Sequence, residues 1–294
     1  MKFITSIDKH SGEEVKISYA DYGKGIPVVL IHGWPLNKHM WEYQVGDLVD
    51  AGFRVIKYDR RGFGDSDKPW DGYDYDTLTD DLHALMEELE LQQAVLVGFS
   101  MGGGEVVRYL SRYGSDRVSK IVLISAVTPF LLKTVGNPDG VDASVFAEMK
   151  DQMKQDRINF LDDFGKKFFG VNLINKPVSG PLLNYYLQQC SMASPRATEK
   201  CAESFAQTDF RNDLKKINVP VLVIHGDADK IVPIESSGEI TARMVPDCDY
   251  VIYDDAPHGL FYANREQLNF DLINFIRADV VIDIEGTTAE RYRG

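Results

Sequence analysis

Ser100 lies in a sequence context typical of a catalytic nucleophile. It is the central residue of Gly98-Phe99-Ser100-Met101-Gly102, which matches the Gly-x-Ser-x-Gly pattern. The apolar run 94–99 predicts a buried strand before the motif, and the pattern of 106–113 predicts a helix after it. Such a junction holds the serine in a strained turn with its hydroxyl exposed, and the glycines avoid collision with neighbouring backbone. Ser100 is therefore the predicted nucleophile of an acyl-transfer reaction.

His258 is the histidine whose place in the chain suits a general base. Where a serine stands on this kind of turn, the acid and the histidine follow it, each in a loop after a later strand. His258 comes shortly after the predicted strand 249–253, between Pro257 and Gly259, two turn residues that expose its ring. The other histidines are expected elsewhere: His32 and His225 beside buried strands with hydrogen bonds to nearby backbone, and His10, His39 and His83 on loops or a helix face.

Two carboxylates follow the predicted strand that ends at Ile224, and either is a candidate for the acid. Asp227 stands directly after Gly226, where it can cap the turn through its own backbone. Asp229 comes two residues later, further from the end of the strand. We therefore predict that Asp229 fixes the tautomer of the histidine and stabilises the imidazolium, with Asp227 as the alternative.

The backbone N–H groups of Met101 and Trp34 are the predicted oxyanion donors. The usual donors are the N–H after the nucleophile and an N–H from the loop after the third strand. That loop is His32-Gly33-Trp34-Pro35. Pro35 fixes its own φ and restricts Trp34, so it can turn the Trp34 carbonyl toward an attacking peroxide. The alternative is that Pro35 only stiffens the loop.

The elements that must position these residues alternate between strands and helices. The period-two pattern of 15–19 predicts a half-exposed antiparallel edge strand, and the continuous apolar run 27–31 predicts a buried one. Strand patterns recur at 53–58, 118–124 and 219–224, and a helix is expected to open at Thr77. This alternation predicts a mostly parallel sheet covered by helices on both faces.

The alternation is interrupted between about 126 and 216 by helical patterns rich in phenylalanine. We therefore expect an α/β core at 1–125 and 217–277, with a helical cap inserted at 126–216. The aromatic residues of the cap either form its own core or line a pocket beneath it. The remaining segment, 278–294, is an extension that can be a further strand, a subunit contact or disordered.

The composition indicates a soluble globular protein without nucleic-acid or membrane partners. The chain has 294 residues, 44% of them hydrophobic, and a net charge of −13 that repels phosphate groups. It lacks an apolar run of signal-peptide or membrane-span length, so a cytoplasmic location is expected. Cys190, Cys201 and Cys248 form no metal-ligand pattern, and Gly23-Lys24-Gly25 leads into a strand rather than a helix. Buried inert thiols and no metal or other cofactor are therefore expected.

Taken together, these residues resemble the α/β-hydrolase superfamily. Ser100, Asp229, His258 and the loop 32–35 carry the resemblance, and the segment 98–109 is similar to the bacterial cofactor-free haloperoxidases, with the related aryl esterases, perhydrolases and lactamases. Further matching segments are Asp59-Arg60-Arg61-Gly62-Phe63-Gly64, Pro69-Trp70, 204–210 and 256–259, so the resemblance covers roughly 1–277.

The resemblance implies the α/β-hydrolase fold, with a mostly parallel eight-stranded sheet and a helical cap. It implies a serine hydrolase that acts on a small ester, or on a carboxylic acid plus peroxide, without a cofactor. A homo-oligomer is possible. The implied substrate pocket, with Pro35 added because it directly follows the oxyanion residue Trp34, contains Trp34, Pro35, Phe99, Val127, Phe146, Phe160, Phe164, Ile231 and Val232.

Other functions on the same fold stay open. A lactonase or lactamase and a carbon–carbon bond hydrolase share the catalytic triad, although the apolar cap disfavours the latter. A binding module that has lost turnover can keep the triad as well. Dehalogenases and epoxide hydrolases use an aspartate as nucleophile, and Ser100 argues against them.

Overall fold

A computed structural model gives the structure of the protein and describes residues 1–172 and 176–278. Within these residues, one eight-stranded sheet has the order β1-β2-β4-β3-β5-β6-β7-β8. The strands are β1 Lys2–Ile7, β2 Glu14–Tyr22, β3 Pro27–Ile31, β4 Arg54–Tyr58, β5 Ala94–Phe99, β6 Val118–Ile124, β7 Val221–Gly226 and β8 Cys248–Tyr253. From β4 to β8 in this order, every neighbouring pair is parallel. The predicted α/β-hydrolase fold is confirmed.

Helices follow each strand from β3 onward. They are α1 Glu42–Asp50, α2 Tyr75–Glu88, α3 Met101–Tyr113, α4 Ala143–Phe168, α5 Gly180–Ser191, α6 Pro195–Gln207, α7 Arg211–Leu214, α8 Gly238–Met244, α9 Leu260–Ala263 and α10 Arg265–Arg277. Strand β5 is buried at every residue, because sheet neighbours and helices cover it on all sides. Ser100, the predicted nucleophile, therefore directly follows a strand that is buried along its whole length.

The antiparallel edge of the sheet differs from the sequence-based expectation. The strand predicted at 15–19 is part of β2, but β2 lies between β1 and β4 and pairs antiparallel with both. The edge strand is β1, in which only Ile4 and Ser6 are buried. A strand this exposed has too few apolar positions to stand out in the sequence.

The segment between β6 and β7 contains α4 to α7. Helix α4 runs for 26 residues and is broken at Asp156, where φ is −153° and ψ is 92°. The side chain of Asp156 accepts a hydrogen bond of 3.0 Å from the backbone N–H of Asn159, which caps the second half of the helix. The break therefore divides α4 into two helical halves that meet at a kink.

The ends and thiols of the chain complete the description. Beyond Ala278, the predicted extension lies outside the described residues. Cys190 and Cys201 are buried, and burial raises the pKa of each thiol to about 12, whereas Cys248 is only half-buried. In the described part of the chain, no helix combines the length and apolar character needed to cross a membrane.

Helix α2 begins two residues earlier than expected, and its cap is testable. The carboxylate of Asp74 accepts from both the backbone N–H (3.0 Å) and the hydroxyl (2.8 Å) of Thr77, so Asp74 is the N-cap. Asp74→Ala should lower the free energy of unfolding by about 1 kcal/mol, whereas Asp74→Asn should cost a few tenths, because Asn caps almost as well. Urea unfolding measures both. Equal loss in the two variants would contradict this role of the cap.

Candidate active site

The turn between β5 and α3 places Ser100 in a strained conformation. Ser100 has φ 54° and ψ −118°, a region that costs a residue with a side chain about 1–3 kcal/mol. Its backbone N–H donates to the Ile124 carbonyl at 2.8 Å, which ties the turn to β6. A Cβ at Gly98 would lie 2.5 Å from the Gly102 carbonyl oxygen, and one at Gly102 would lie 2.6 Å from the Ile31 oxygen. Both glycines are therefore required by close backbone contact.

The structure brings Ser100, His258 and Asp229 into one hydrogen-bonded chain. Nε2 of His258 lies 3.0 Å from Oγ of Ser100, and Nδ1 lies 2.6 Å from Oδ2 of Asp229. An ionised carboxylate only accepts hydrogen bonds, so Nδ1 carries the proton and the lone pair of Nε2 faces the serine hydroxyl. All three side chains are buried. This is the tautomer that a general base needs.

Asp229 is held as an anion by several partners. Its Oδ1 accepts the backbone N–H groups of Ile231 at 2.8 Å and Val232 at 2.9 Å. Burial opposes ionisation, but the electrostatic interaction with His258 and the hydrogen bonds from His225 and His258 hold the pKa of Asp229 well below its usual range. A folded-state pKa below the unfolded one means that the carboxylate stabilises the fold at neutral pH and loses this effect only in acid.

Asp227 is placed differently from Asp229. Its carboxylate accepts the backbone N–H of Asp255 at 2.7 Å, so it joins the loops after β7 and β8. The sequence analysis left Asp227 as the alternative acid, and the geometry brings Asp229 against the histidine instead. The expectation that Asp227 caps its own turn is wrong, because its carboxylate accepts from the loop after β8.

An apolar cavity of about 410 Å³ opens above Ser100. Its lining includes seven predicted pocket residues: Trp34, Val127, Phe146, Phe160, Phe164, Ile231 and Val232. Further apolar lining residues, which the sequence analysis did not name, are Leu131, Val141, Val145, Met149, Phe205 and Pro233. Met149 lies three residues after Phe146 and four after Val145 on α4, so helical periodicity was a signal that could have found this face. The polar lining residues other than Ser100 are Glu148, Gln152, Asp163, Lys167 and Lys230.

Two predicted pocket residues lie outside the lining of this cavity. Phe99 is completely buried behind the catalytic histidine, with its ring centroid 5.0 Å from that of His258. Pro35 faces a separate small apolar cavity beside Phe164 and Phe168. The period-two geometry of a strand explains Phe99: the residue before the nucleophile points into the sheet packing, away from the serine. The prediction that Phe99 and Pro35 line the cavity above Ser100 is therefore wrong.

The histidine is also held by a residue that the sequence analysis missed. The Phe168 ring meets the His258 ring edge to face at 4.8 Å and also packs against the Phe99 ring, with these two centroids 5.9 Å apart. The Gly259 N–H donates to the Phe168 carbonyl at 2.9 Å, which joins the end of α4 to the histidine loop. Helix α4 therefore contacts His258 as well as lining the cavity.

The two predicted oxyanion donors border Ser100. Met101 is the first residue of α3, and an N–H at that position has no partner within its helix. The Trp34 N–H donates to no backbone carbonyl of the described residues, whereas its indole Nε1 donates to the Thr198 carbonyl at 2.9 Å. A Cβ at Gly33 would lie 3.1 Å from the Cβ of Ser100, so the loop packs directly on the nucleophile. Across residues 1–172 and 176–278, no cluster of His, Cys, Asp or Glu is arranged to hold a metal ion.

The chain matches the family described as alpha/beta hydrolase fold over residues 26–264. It belongs to this family. A putative non-heme chloroperoxidase of Synechocystis is 46% identical, over 94% of this chain and 100% of the relative. A bifunctional esterase/perhydrolase of Acinetobacter calcoaceticus is 42% identical, over 90% of this chain and 97% of its own. The resemblance to the haloperoxidase and esterase group is confirmed.

Solved structures agree with the sequence relatives of this α/β hydrolase. The crystal structure of a bromoperoxidase from Bacillus anthracis superposes with a TM-score of 0.89 at 46% identity, covering 94% of this chain and 100% of that one. An esterase from Exiguobacterium antarcticum gives 0.88 at 34% identity, covering 94% and 99%. Close structural relatives therefore include both proteins named as peroxidases and proteins named as esterases.

The two neighbouring aspartates give a matched test of the acid. Asp229→Asn should lower kcat for an activated ester roughly 10⁴-fold with little change in KM, because the amide favours the wrong histidine tautomer. Asp227→Asn should stay within a few-fold of the parent, since its partner is a backbone N–H of another loop. Steady-state kinetics on both variants measure the contrast. A large loss in Asp227→Asn with a small one in Asp229→Asn would reverse the assignment.

Proposed function

We propose that the protein is a serine hydrolase that cleaves small carboxylic esters through an acyl-enzyme and forms peracids when hydrogen peroxide replaces water. The observation that carries the proposal is the chain of hydrogen bonds from Ser100 through His258 to Asp229, at the floor of the apolar cavity. The relatives named as esterase/perhydrolase and non-heme chloroperoxidase support it.

The first half of the reaction transfers the acyl group to the enzyme. Oγ of Ser100 attacks the ester carbonyl while Nε2 of His258 takes the hydroxyl proton. The carbonyl oxygen becomes an oxyanion, which the N–H groups of Trp34 and Met101 stabilise. The intermediate collapses, the imidazolium returns its proton to the leaving alcohol, and the acyl group stays on the serine. Asp229 stabilises the imidazolium throughout this half.

The second half releases the acyl group to a second nucleophile. Water, deprotonated by His258, gives the carboxylic acid, and hydrogen peroxide gives the peracid by the same route. Starting from a carboxylic acid, acylation expels water, so the net reaction is acid plus peroxide to peracid plus water. The peracid then oxidises a halide in solution and is itself reduced to the acid, which requires no redox group on the protein.

The helical segment 126–216 is proposed to act as a substrate-binding cap. Helices α4 and α6 supply Phe146, Phe160, Phe164 and Phe205 to the cavity above the nucleophile. Aromatic walls favour acyl and aryl groups without charge, and a strongly polar carbon–carbon hydrolase substrate would have fewer partners there. A lactone is an internal ester and undergoes the same chemistry, so lactonase activity is the second candidate.

The esterase proposal is tested with nitrophenyl esters from acetate to decanoate. The parent should turn them over without added cofactor, and Ser100→Ala and His258→Ala should retain only the modest rate that binding and the oxyanion donors provide. Mass spectrometry after treatment with a fluorophosphonate should show one adduct, on Ser100. Full activity in Ser100→Ala, or strong inhibition by a low concentration of chelator, would refute the mechanism. A non-catalytic binding module would show no turnover in the parent.

Perhydrolysis is tested separately from ester hydrolysis. With acetate, hydrogen peroxide and bromide, the parent should brominate a dye, and Ser100→Ala should not, because peracid forms only through the acyl-enzyme. If Pro35 turns the Trp34 carbonyl toward the attacking peroxide, Pro35→Leu should lower the ratio of peracid formation to ester hydrolysis. An unchanged ratio would refute this role of Pro35. Absence of peracid from the parent with any short acid would refute perhydrolysis and leave the esterase proposal intact.

A further inference from the structure

His32 is a completely buried histidine at the start of the oxyanion loop, and both of its ring nitrogens have close partners. Nδ1 lies 2.9 Å from the carbonyl oxygen of Gly33. Nε2 lies 3.0 Å from the backbone nitrogen of Arg60, which is in the loop after β4. These two contacts decide the position of the proton on the ring.

The proton is on Nδ1 because a backbone N–H can only donate. The Arg60 N–H points at Nε2, so Nε2 must accept, and a neutral ring then carries its proton on Nδ1 and donates it to the Gly33 carbonyl. Nη1 of Arg60 lies 3.3 Å from Nδ1 of His32. Because both groups are donors in this tautomer, they form no hydrogen bond with each other. Burial and the Arg60 charge lower the pKa of His32 well below its usual value, which keeps the ring neutral.

The Gly33 carbonyl and the Trp34 N–H belong to the same peptide group. A trans peptide is planar, with its C=O and N–H in opposite directions, so fixing one fixes the other. The Gly33 carbonyl accepts two hydrogen bonds, from His32 Nδ1 at 2.9 Å and from the Leu36 N–H at 3.1 Å. The Trp34 N–H on the opposite side has no backbone acceptor among the described residues.

We propose that His32 is a positioning residue, whose Nδ1–H holds the Gly33 carbonyl and so aims the Trp34 N–H at the oxyanion. This inference rests on the proposed acyl-transfer function. Gly33 packs against the Cβ of Ser100, so a small rotation of this peptide displaces the donor relative to the reacting carbonyl. His32 touches no substrate and acts through the peptide plane alone.

A buried ion pair anchors His32 to the helix that carries the other oxyanion donor. Nη2 of Arg60 donates to the His32 carbonyl at 2.7 Å, and Nε donates to Glu105 at 2.5 Å. The other oxygen of Glu105 accepts from the Tyr58 hydroxyl at 2.8 Å. Glu105 is on α3, whose first residue is Met101. The two donors are therefore fixed relative to each other by charge-assisted hydrogen bonds.

Two variants separate the donor from the acceptor side of the ring. His32→Asn places an amide nitrogen near the position of Nδ1 and can keep the bond to Gly33. His32→Gln reaches the position of Nε2, can accept from the Arg60 N–H and loses the bond to Gly33. We expect His32→Gln to lower kcat roughly 100-fold, the lower end of the effect of losing one oxyanion donor, with KM within about two-fold. His32→Asn should keep a kcat close to that of the parent, because it can keep the bond to Gly33.

The diagnostic measurement is inhibition by a short trifluoromethyl ketone, which forms a tetrahedral oxyanion adduct with the serine. Its Ki should rise across the variants by the same factor by which kcat/KM falls. Leu85→Ala, which creates a cavity beneath α2 away from the site, should lower the unfolding midpoint without changing kcat/KM or Ki. If both His32 variants lose activity equally, or if Ki is unchanged, His32 has only a structural role and the inference is wrong.

A measurement on the parent protein avoids any dependence on whether variants fold. The ¹⁵N chemical shifts of the His32 ring should show a neutral imidazole protonated on Nδ1, and a proton on Nε2 would overturn the inference. Failure of the proposed function gives a different result. In that case the parent hydrolyses no ester or Ser100→Ala stays active, whereas failure of the positioning role alone leaves a Ser100-dependent enzyme in which His32→Gln loses no more activity than His32→Asn or the Ki is unchanged.

Discussion

The close approach of backbone segments around Ser100 is the constraint on which the rest of the site depends. The chain passes from β5 to α3 within one residue at positive φ, and the turn packs against β3, β6 and the oxyanion loop. Such contacts leave no room for a Cβ at Gly98, Gly102 or Gly103, where it would lie 2.5–2.6 Å from a neighbouring atom. Because the serine is held by backbone, the direction of its Cα–Cβ bond is fixed, and every other group must be brought to it.

The groups brought to the serine come from loops at the carboxyl ends of parallel strands. Asp229 follows β7, His258 follows β8, and Trp34 follows β3, so sheet register alone places them at one edge. The final alignment depends on loop contacts that the sheet does not supply. Asp229 is fixed by two backbone N–H groups of its own loop, and His258 packs against the rings of Phe99 and Phe168.

The sequence predicted the parts of the site that follow from chain order and local spacing. The Gly-x-Ser-x-Gly turn needs its glycines for steric reasons, and the positions of Asp229 and His258 follow from the strands before them. Residues whose role depends on side-chain direction were harder to predict. Phe99 adjoins the serine in the chain but packs behind His258, and Phe168 contacts that ring from a distant helix. The exposed strand β1 lacked a strong apolar signal, and Asp74 lies before the apolar helical pattern that starts at Leu78.

Histidine 32 shows where sequence reasoning reaches its limit. Its neighbours predicted a buried residue bonded to backbone, and that prediction is correct, but no pattern could reveal which carbonyl it holds. The proposed consequence follows only from geometry, because the accepting carbonyl shares a peptide plane with the Trp34 N–H. The Arg60–Glu105 pair then links this peptide to α3 through completely buried groups. Burying two charges is costly unless their hydrogen bonds are satisfied. Here those bonds join the loop that contains Trp34 to α3, the helix that begins with Met101.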